Sequence, residues 1–213
     1  MRVAALYDVH GNLPALEAVL AEVAESDVIV IGGDVVGGAS DAETVRRLQQ
    51  LGSRAVWIRG NAERELAEAP AADQRLEPEL VAFLAHLPET AVLDVDGVGR
   101  VLFCHATPWN DVDIVTPLTS SERLGRILER VQADAVVAGH THLQDDRHVA
   151  GIRWVNAGSV GLPYEDAEGA FWAALGPGVE LRRTPYDTAE LEIGGSPRAT
   201  RQEAAEYFES LVP

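Results

Sequence analysis

Apolar runs and amphipathic stretches alternate along the first third of the chain. Residues 2–7 are almost continuously apolar (Val3, Ala4, Ala5, Leu6, Tyr7), as in a strand covered on both faces. Residues 13–25 carry Leu13, Leu16, Val19, Leu20 and Val23 at helical spacing, with Pro14 near the start, where its missing N–H does no harm. Residues 27–31 predict a second strand. Residues 41–51 predict a second helix, with Val45, Leu48 and Leu51 on one face and Gly52 as its stop. A third strand follows at 55–58. Residues 63–87 have a helical pattern in two pieces, broken near Pro70 and Pro78. The rhythm then changes. Residues 91–95 and 100–104 predict a hairpin around Asp96-Gly97. A helix at 120–131, strands at 135–138, 151–155, 169–175 and 179–183, and a helix at 201–211 complete the reading. The β-α-β-α-β opening implies an α/β fold with parallel strands and right-handed crossovers. The strand-rich remainder fits two packed sheets with helices outside both, or one mixed sheet.

Composition narrows the class. At 213 residues and 46% hydrophobic, the chain can bury one sizeable core, and a single domain over 1–213 is expected. No stretch approaches the roughly 18 apolar residues of a membrane span. Met1 to Tyr7 runs straight into a strand pattern, so no signal peptide is expected. The one cysteine, Cys104, excludes an internal disulfide and fits a reducing cytoplasm, the expected location. A net charge of -17 works against nucleic-acid binding, though a local cation cluster can still draw in a small anion. The chain has no lysine, which excludes Schiff-base and P-loop lysine chemistry.

The polar residues with chemical potential gather at strand ends. Asp8-Val9-His10-Gly11-Asn12 follows the first strand, Gly33-Asp34 the second, and Arg59-Gly60-Asn61 the third. His105, Gly139-His140-Thr141-His142 and Asn156-Ala157-Gly158-Ser159 follow later ones. Ligands of α/β sheets bind beyond these carboxyl ends. Taken singly, each residue has a plainer reading: an aspartate after a strand is usually a cap or turn residue, and a lone histidine a satisfied buried one. The ordered set on one sheet edge is far more specific. Two aspartates, four histidines and one asparagine oxygen make a nitrogen and oxygen donor set without thiolate. It favours manganese, iron, zinc, cobalt or nickel. Seven donors exceed what one catalytic ion can use while keeping an open position, and they suit two divalent ions bridged by a carboxylate. Two aspartates neutralise half of that pair's charge, and the remainder attracts phosphate. Asn12 and Asn156 lie on the same edge and are substrate-binding candidates. Trp109, Asn110 and Tyr164 fall on loops beyond it and are candidates to line a pocket. Cys104, one residue before His105, should point into the core. His86 and His148 lie outside these motifs; His86 reads as a surface or packing residue.

These motifs resemble those of the calcineurin-like metallophosphoesterase superfamily, in its small bacterial and archaeal phosphodiesterase branch. Its signatures stand here as Asp8-Val9-His10, Gly33-Asp34, Gly60-Asn61-Ala62-Glu63, His105 and Gly139-His140-Thr141-His142, spanning about residues 1–160. The resemblance implies a four-layer α/β/β/α sandwich with two mixed sheets. By position, it implies that Asp8, His10 and His142 hold one metal, that Asn61, His105 and His140 hold the other, and that Asp34 bridges them, with manganese first among the candidates. It implies hydrolysis of a small phosphoester, foremost a phosphodiester, by metal-bound hydroxide. Arg59 matches an arginine that contacts phosphate in related phosphatases, so it is assigned to catalysis and substrate binding. Where many relatives carry a histidine that protonates the leaving oxygen, this chain has Ala62. That general-acid help is worth about 10²–10⁴-fold. Two other functions compete: a protein or nucleoside-polyphosphate phosphatase, and a non-catalytic scaffold such as the retromer subunit of this fold. Homo-oligomers remain open.

Overall fold

A computed structural model describes residues 1–69, 76–187 and 199–212. Ten strands and six α-helices alternate along the described residues. β1 (Val3–Leu6), α1 (Leu13–Glu22), β2 (Val28–Ile31), α2 (Asp41–Gln49) and β3 (Ala55–Trp57) form the opening unit. α3 (Asn61–Glu68) and α4 (Pro78–Ala85) follow, and Pro78 opens α4. The break expected near Pro70 lies outside the described residues. β4 (Thr90–Val95) and β5 (Gly99–Cys104) pair as the expected hairpin. α5 (Ser121–Ile127), β6 (Ala135–Ala138), β7 (Asp145–Val149), β8 (Ile152–Asn156), β9 (Ala170–Leu175), β10 (Val179–Thr184) and α6 (Arg201–Ser210) complete the chain.

Two five-stranded sheets result, in the orders β10-β9-β1-β2-β3 and β4-β5-β6-β8-β7. β1, β2 and β3 are parallel, and so are β5, β6 and β8; β9 runs antiparallel to β1, β4 to β5 and β7 to β8. Both sheets are therefore mixed, and the one-sheet alternative falls. Strand pleating sorts the core into layers. Val3, Ala5 and Tyr7 meet Val101, Phe103, Val137 and Val155 between the sheets. Ala4, Leu6, Ile29 and Ile31 turn the other way, onto Leu16, Val19, Val45 and Leu48 of α1 and α2. Cys104, Val136 and Trp154 face outward from the second sheet onto Leu124 and Leu128 at α5. The order is helix, sheet, sheet, helix. No helix among the described residues is long and apolar enough to cross a membrane.

β7 departs from the sequence expectation. Asp145, Asp146, Arg147 and His148 lack an apolar alternation, and the strand forms because it caps the edge beside β8. Charged residues on an edge discourage pairing with other chains. His148 is exposed there.

Candidate metal centre

Parallel strands bring the polar loops to one rim. Asp8 and His10 follow β1, Asp34 follows β2, Asn61 opens α3 after β3, His105 follows β5, and His140 and His142 follow β6. Two triads form. The donor atoms of Asp8, His10 and His142 lie within 4.8 Å of one another, and so do those of Asp34, His105 and His140. The backbone is bent to aim them. Among the described residues, seven non-glycine residues have positive φ, and five belong to these triads: Asp8 at 53°, His10 at 45°, Asp34 at 50°, His140 at 67° and His142 at 58°. This region costs about 1–2 kcal/mol per residue and persists only where the surroundings enforce it. Glycines let the loops close in. A Cβ at Gly60 would sit 2.2 Å from Asp34 Oδ1, and one at Gly139 would sit 2.5 Å from Asp8 Oδ2.

Backbone carbonyls set the histidine tautomers. His10 Nδ1 is 3.1 Å from Val36 O, His105 Nδ1 is 2.9 Å from Gly32 O, and His142 Nδ1 is 2.6 Å from Leu162 O. With Nδ1–H donated outward, Nε2 is the atom of each ring that turns inward, as in ligating histidines generally. The inward Nε2 atoms of His10 and His142 lie 3.1 Å apart, a contact that one proton or a cation can bridge. His105 Nε2 lies 3.2 Å from Asn61 Oδ1 and 3.4 Å from Asp34 Oδ1. Asp8 Oδ2 accepts the His140 backbone N–H at 2.9 Å, whereas Asp8 Oδ1 is buried with no hydrogen bond, only the His142 and His105 Nε2 atoms at 3.6 and 3.9 Å. A buried carboxylate oxygen without a hydrogen bond is costly unless a cation meets it. These donors therefore fit divalent ions.

The local field agrees. Burial opposes the charge on Asp8, yet the His142 and His105 rings outweigh it and hold the carboxyl below its ordinary range. Asp34 is lowered in the same way, against burial, by His105 and His10. Burial opposes a proton on His105 too, but Asp34 and Asp8 push its pKa up to about 10. Burial and the His142 ring hold His10 below its usual value, and burial and His105 do the same to His140. Against burial, Asp8 raises the pKa of His142 as well, so a divalent ion would have to displace protons from His105 and His142 to bind neutral rings.

Glu63 has a part that sequence reasoning missed. Fully buried, it accepts N–H groups from Asp34 at 2.9 Å, Val35 at 2.7 Å and Gly60 at 2.8 Å, so it ties the Asp34 loop to the Gly60-Asn61 turn. Burial and the Asp34 charge push its pKa up to about 7, while the Gly60 and Asp34 N–H groups pull the other way. Donors on both oxygens match the carboxylate form. The signal was a capping-box spacing, Gly60 to Glu63, directly before a helix.

The remaining candidates separate. Arg59 gives one N–H to Glu89 Oε1 at 2.7 Å, and its Nε is buried without a partner. It lines a cavity of about 140 Å³ beside His105, with Arg64, Thr107, Trp109 and Asn110. Asn12 caps α1 through the Ala15 N–H at 3.2 Å and donates to Gly161 O at 2.9 Å and Tyr186 Oη at 3.0 Å. Asn156 is 1% exposed, donates to Gly139 O at 2.7 Å and to Thr141 Oγ1 at 3.1 Å, and accepts from Gly158 N–H at 2.9 Å. Both amides thus hold loops at the rim. Tyr164 is away from the cavity, stacked on the His142 ring at 5.1 Å. Cys104 is buried, and burial pushes its thiol pKa far up. His86 closes α4 through Ala82 O at 2.7 Å.

Known proteins share this fold. The calcineurin-like phosphoesterase superfamily domain matches residues 1–174. The phosphodiesterase YfcE of Escherichia coli strain K12 is 30% identical, across 73% of this chain and 77% of that protein. The structure of a Pyrococcus horikoshii OT3 protein superposes with a TM-score of 0.76 at 20% identity, covering 87% of this chain and 88% of that one. A metallophosphoesterase from Sphaerobacter thermophilus superposes at 0.72 with 24% identity, over 96% of this chain and 98% of that one. Those two structures establish likeness of fold, while the domain match carries descent: this chain belongs to the calcineurin-like phosphoesterase superfamily.

Proposed function

We propose that the chain hydrolyses a small phosphodiester with two divalent ions, manganese foremost, in the cytoplasm. Asp8, His10 and His142 would hold one ion and Asn61, His105 and His140 the other, with Asp34 serving both. The observation that carries this reading is the pair of largely buried triads, with Asp8 Oδ1 lacking any hydrogen bond. Such an ion pair polarises a phosphoryl oxygen and lowers the pKa of water toward neutrality. The chain's own residues do the rest. Backbone carbonyls fix the histidine rings, so ligation needs little reorganisation. Asn61 supplies an uncharged oxygen beside His105, which leaves net positive charge for an anionic ester. Arg59, with a buried unpartnered Nε, offers a planar donor group to phosphate oxygens on the His105 side.

The cavity there is lined largely by polar and charged side chains, Arg59, Arg64, Glu89, His105 and Asn110 among them, as suits an anionic ester. Ala62 donates its N–H to Asp34 Oδ1 at 2.8 Å and brings no acid, so esters with good leaving groups should react best.

The test is turnover of bis-p-nitrophenyl phosphate by purified protein with added Mn²⁺. We expect metal-stimulated hydrolysis that Asp34→Asn abolishes. Equal rates with and without metal, or an active Asp34→Asn variant, would overturn the reading.

A further inference from the structure

We propose that α6, beyond the matched superfamily domain, is a brace for one half of the metal centre, and that Tyr164 is the positioning residue through which it acts on His142. The proposal rests on the two-ion reading above.

His142 is held by one short segment. Its Nδ1 meets Leu162 O at 2.6 Å, its carbonyl accepts the Tyr164 N–H at 3.2 Å, and its ring stacks on Tyr164 at 5.1 Å and 14°. Its φ of 58° is unfavourable for a side-chain-bearing residue and needs such support. The supporting segment is in turn held by α6. Phe208 packs 5.8 Å from the Tyr164 ring, and Ala204 and Ala205 bury against Leu143, the residue after His142. At the start of α6, Arg201 bonds Glu165 at 2.7 Å and Gln144 O at 2.5 Å. Glu165 also takes the Gln144 N–H at 2.6 Å, which joins the His142 loop to the Tyr164 loop. Near the end of α6, Glu209 accepts from Thr116 at 2.8 Å and from Thr119. Three loops are thus pinned by one helix.

Most of the other triad has separate support. His105 leans on Gly32 O, and Glu63 ties the Asp34 loop to the Asn61 turn. Neither interaction involves α6; only His140 shares the braced loop. The helix should therefore affect the ion held by Asp8, His10 and His142 more than its neighbour.

The experiment titrates the metal-free full chain with Mn²⁺, followed by calorimetry and by the electron-spin signal of free Mn²⁺. Wild type should bind two ions. Tyr164→Leu, which removes the stacked ring, should weaken one site about tenfold or more, within the range typical for lost support behind a ligand, and weaken the other clearly less. Tyr164→Phe keeps the ring and should bind like wild type. Phe208→Leu, which trims the aromatic contact from the α6 side, should weaken the same site less. Unchanged affinities in both Tyr164→Leu and Phe208→Leu would overturn the brace while leaving the two-ion reading intact. Equal weakening at both sites would also overturn it. A wild type that takes up no Mn²⁺ would overturn both. Should Tyr164→Leu fail to fold, Phe208→Leu against Tyr164→Phe decides.

Discussion

Asp8, His10, Asp34, Asn61, His105, His140 and His142 were readable as one set because each follows an apolar run, and runs of that kind end at a common rim. Glu63 was quoted among the motifs without a role, since its partners are backbone N–H groups, which no letter of the sequence specifies. Its importance can be measured. Glu63→Gln keeps the size but turns an amide N–H₂ toward existing donors. Each donor left unpaired costs about 1–3 kcal/mol, so the urea midpoint should fall clearly. An unchanged midpoint would mean that the loops hold without it. Asn12 and Asn156 show a related ambiguity: both hold loop backbone by hydrogen bonds, and short amides serve loops and ligands alike.

At the scale of elements, periodicity exposed nine of the ten strands among the described residues. The missing one, β7, is bound by its hydrogen bonds to β8 rather than by an apolar stripe. α6 was legible as a helix, whereas its docking onto Leu143 and Tyr164 was not, because it joins segments far apart in the chain. Alternation within a strand does have energetic content. Phe103 on β5 lies fully buried between the sheets, while Val92 on β4 is 43% exposed. Phe103→Ala should therefore cost about 3–5 kcal/mol in denaturant unfolding, and Val92→Ala should stay within about 0.5 kcal/mol. Similar losses at the two sites would contradict the layer assignment.

Over the whole molecule, the pattern left two sheets or one undecided, because pairing between distant strands is not written in local periodicity. The apolar layer shared by β1 and β5 decides it. The same architecture predicts how strongly cations act on the fold. A ligand present at 100 times its dissociation constant stabilises by about 2.7 kcal/mol per site, and a chain of this size gains about 2–4 °C per kcal/mol. Mn²⁺ should raise the melting temperature by roughly 5 °C or more, and a chelator should reverse it. Melting curves indifferent to both would argue against bound ions.

The five left-handed backbones among the ligands carry one more consequence. Glycine adopts that conformation without penalty, so replacing His140 by glycine should relieve strain in the ion-free protein even as it removes a donor. Lineages selected for heat resistance alone, with no demand for hydrolysis, would then be expected to lose the rim before the core.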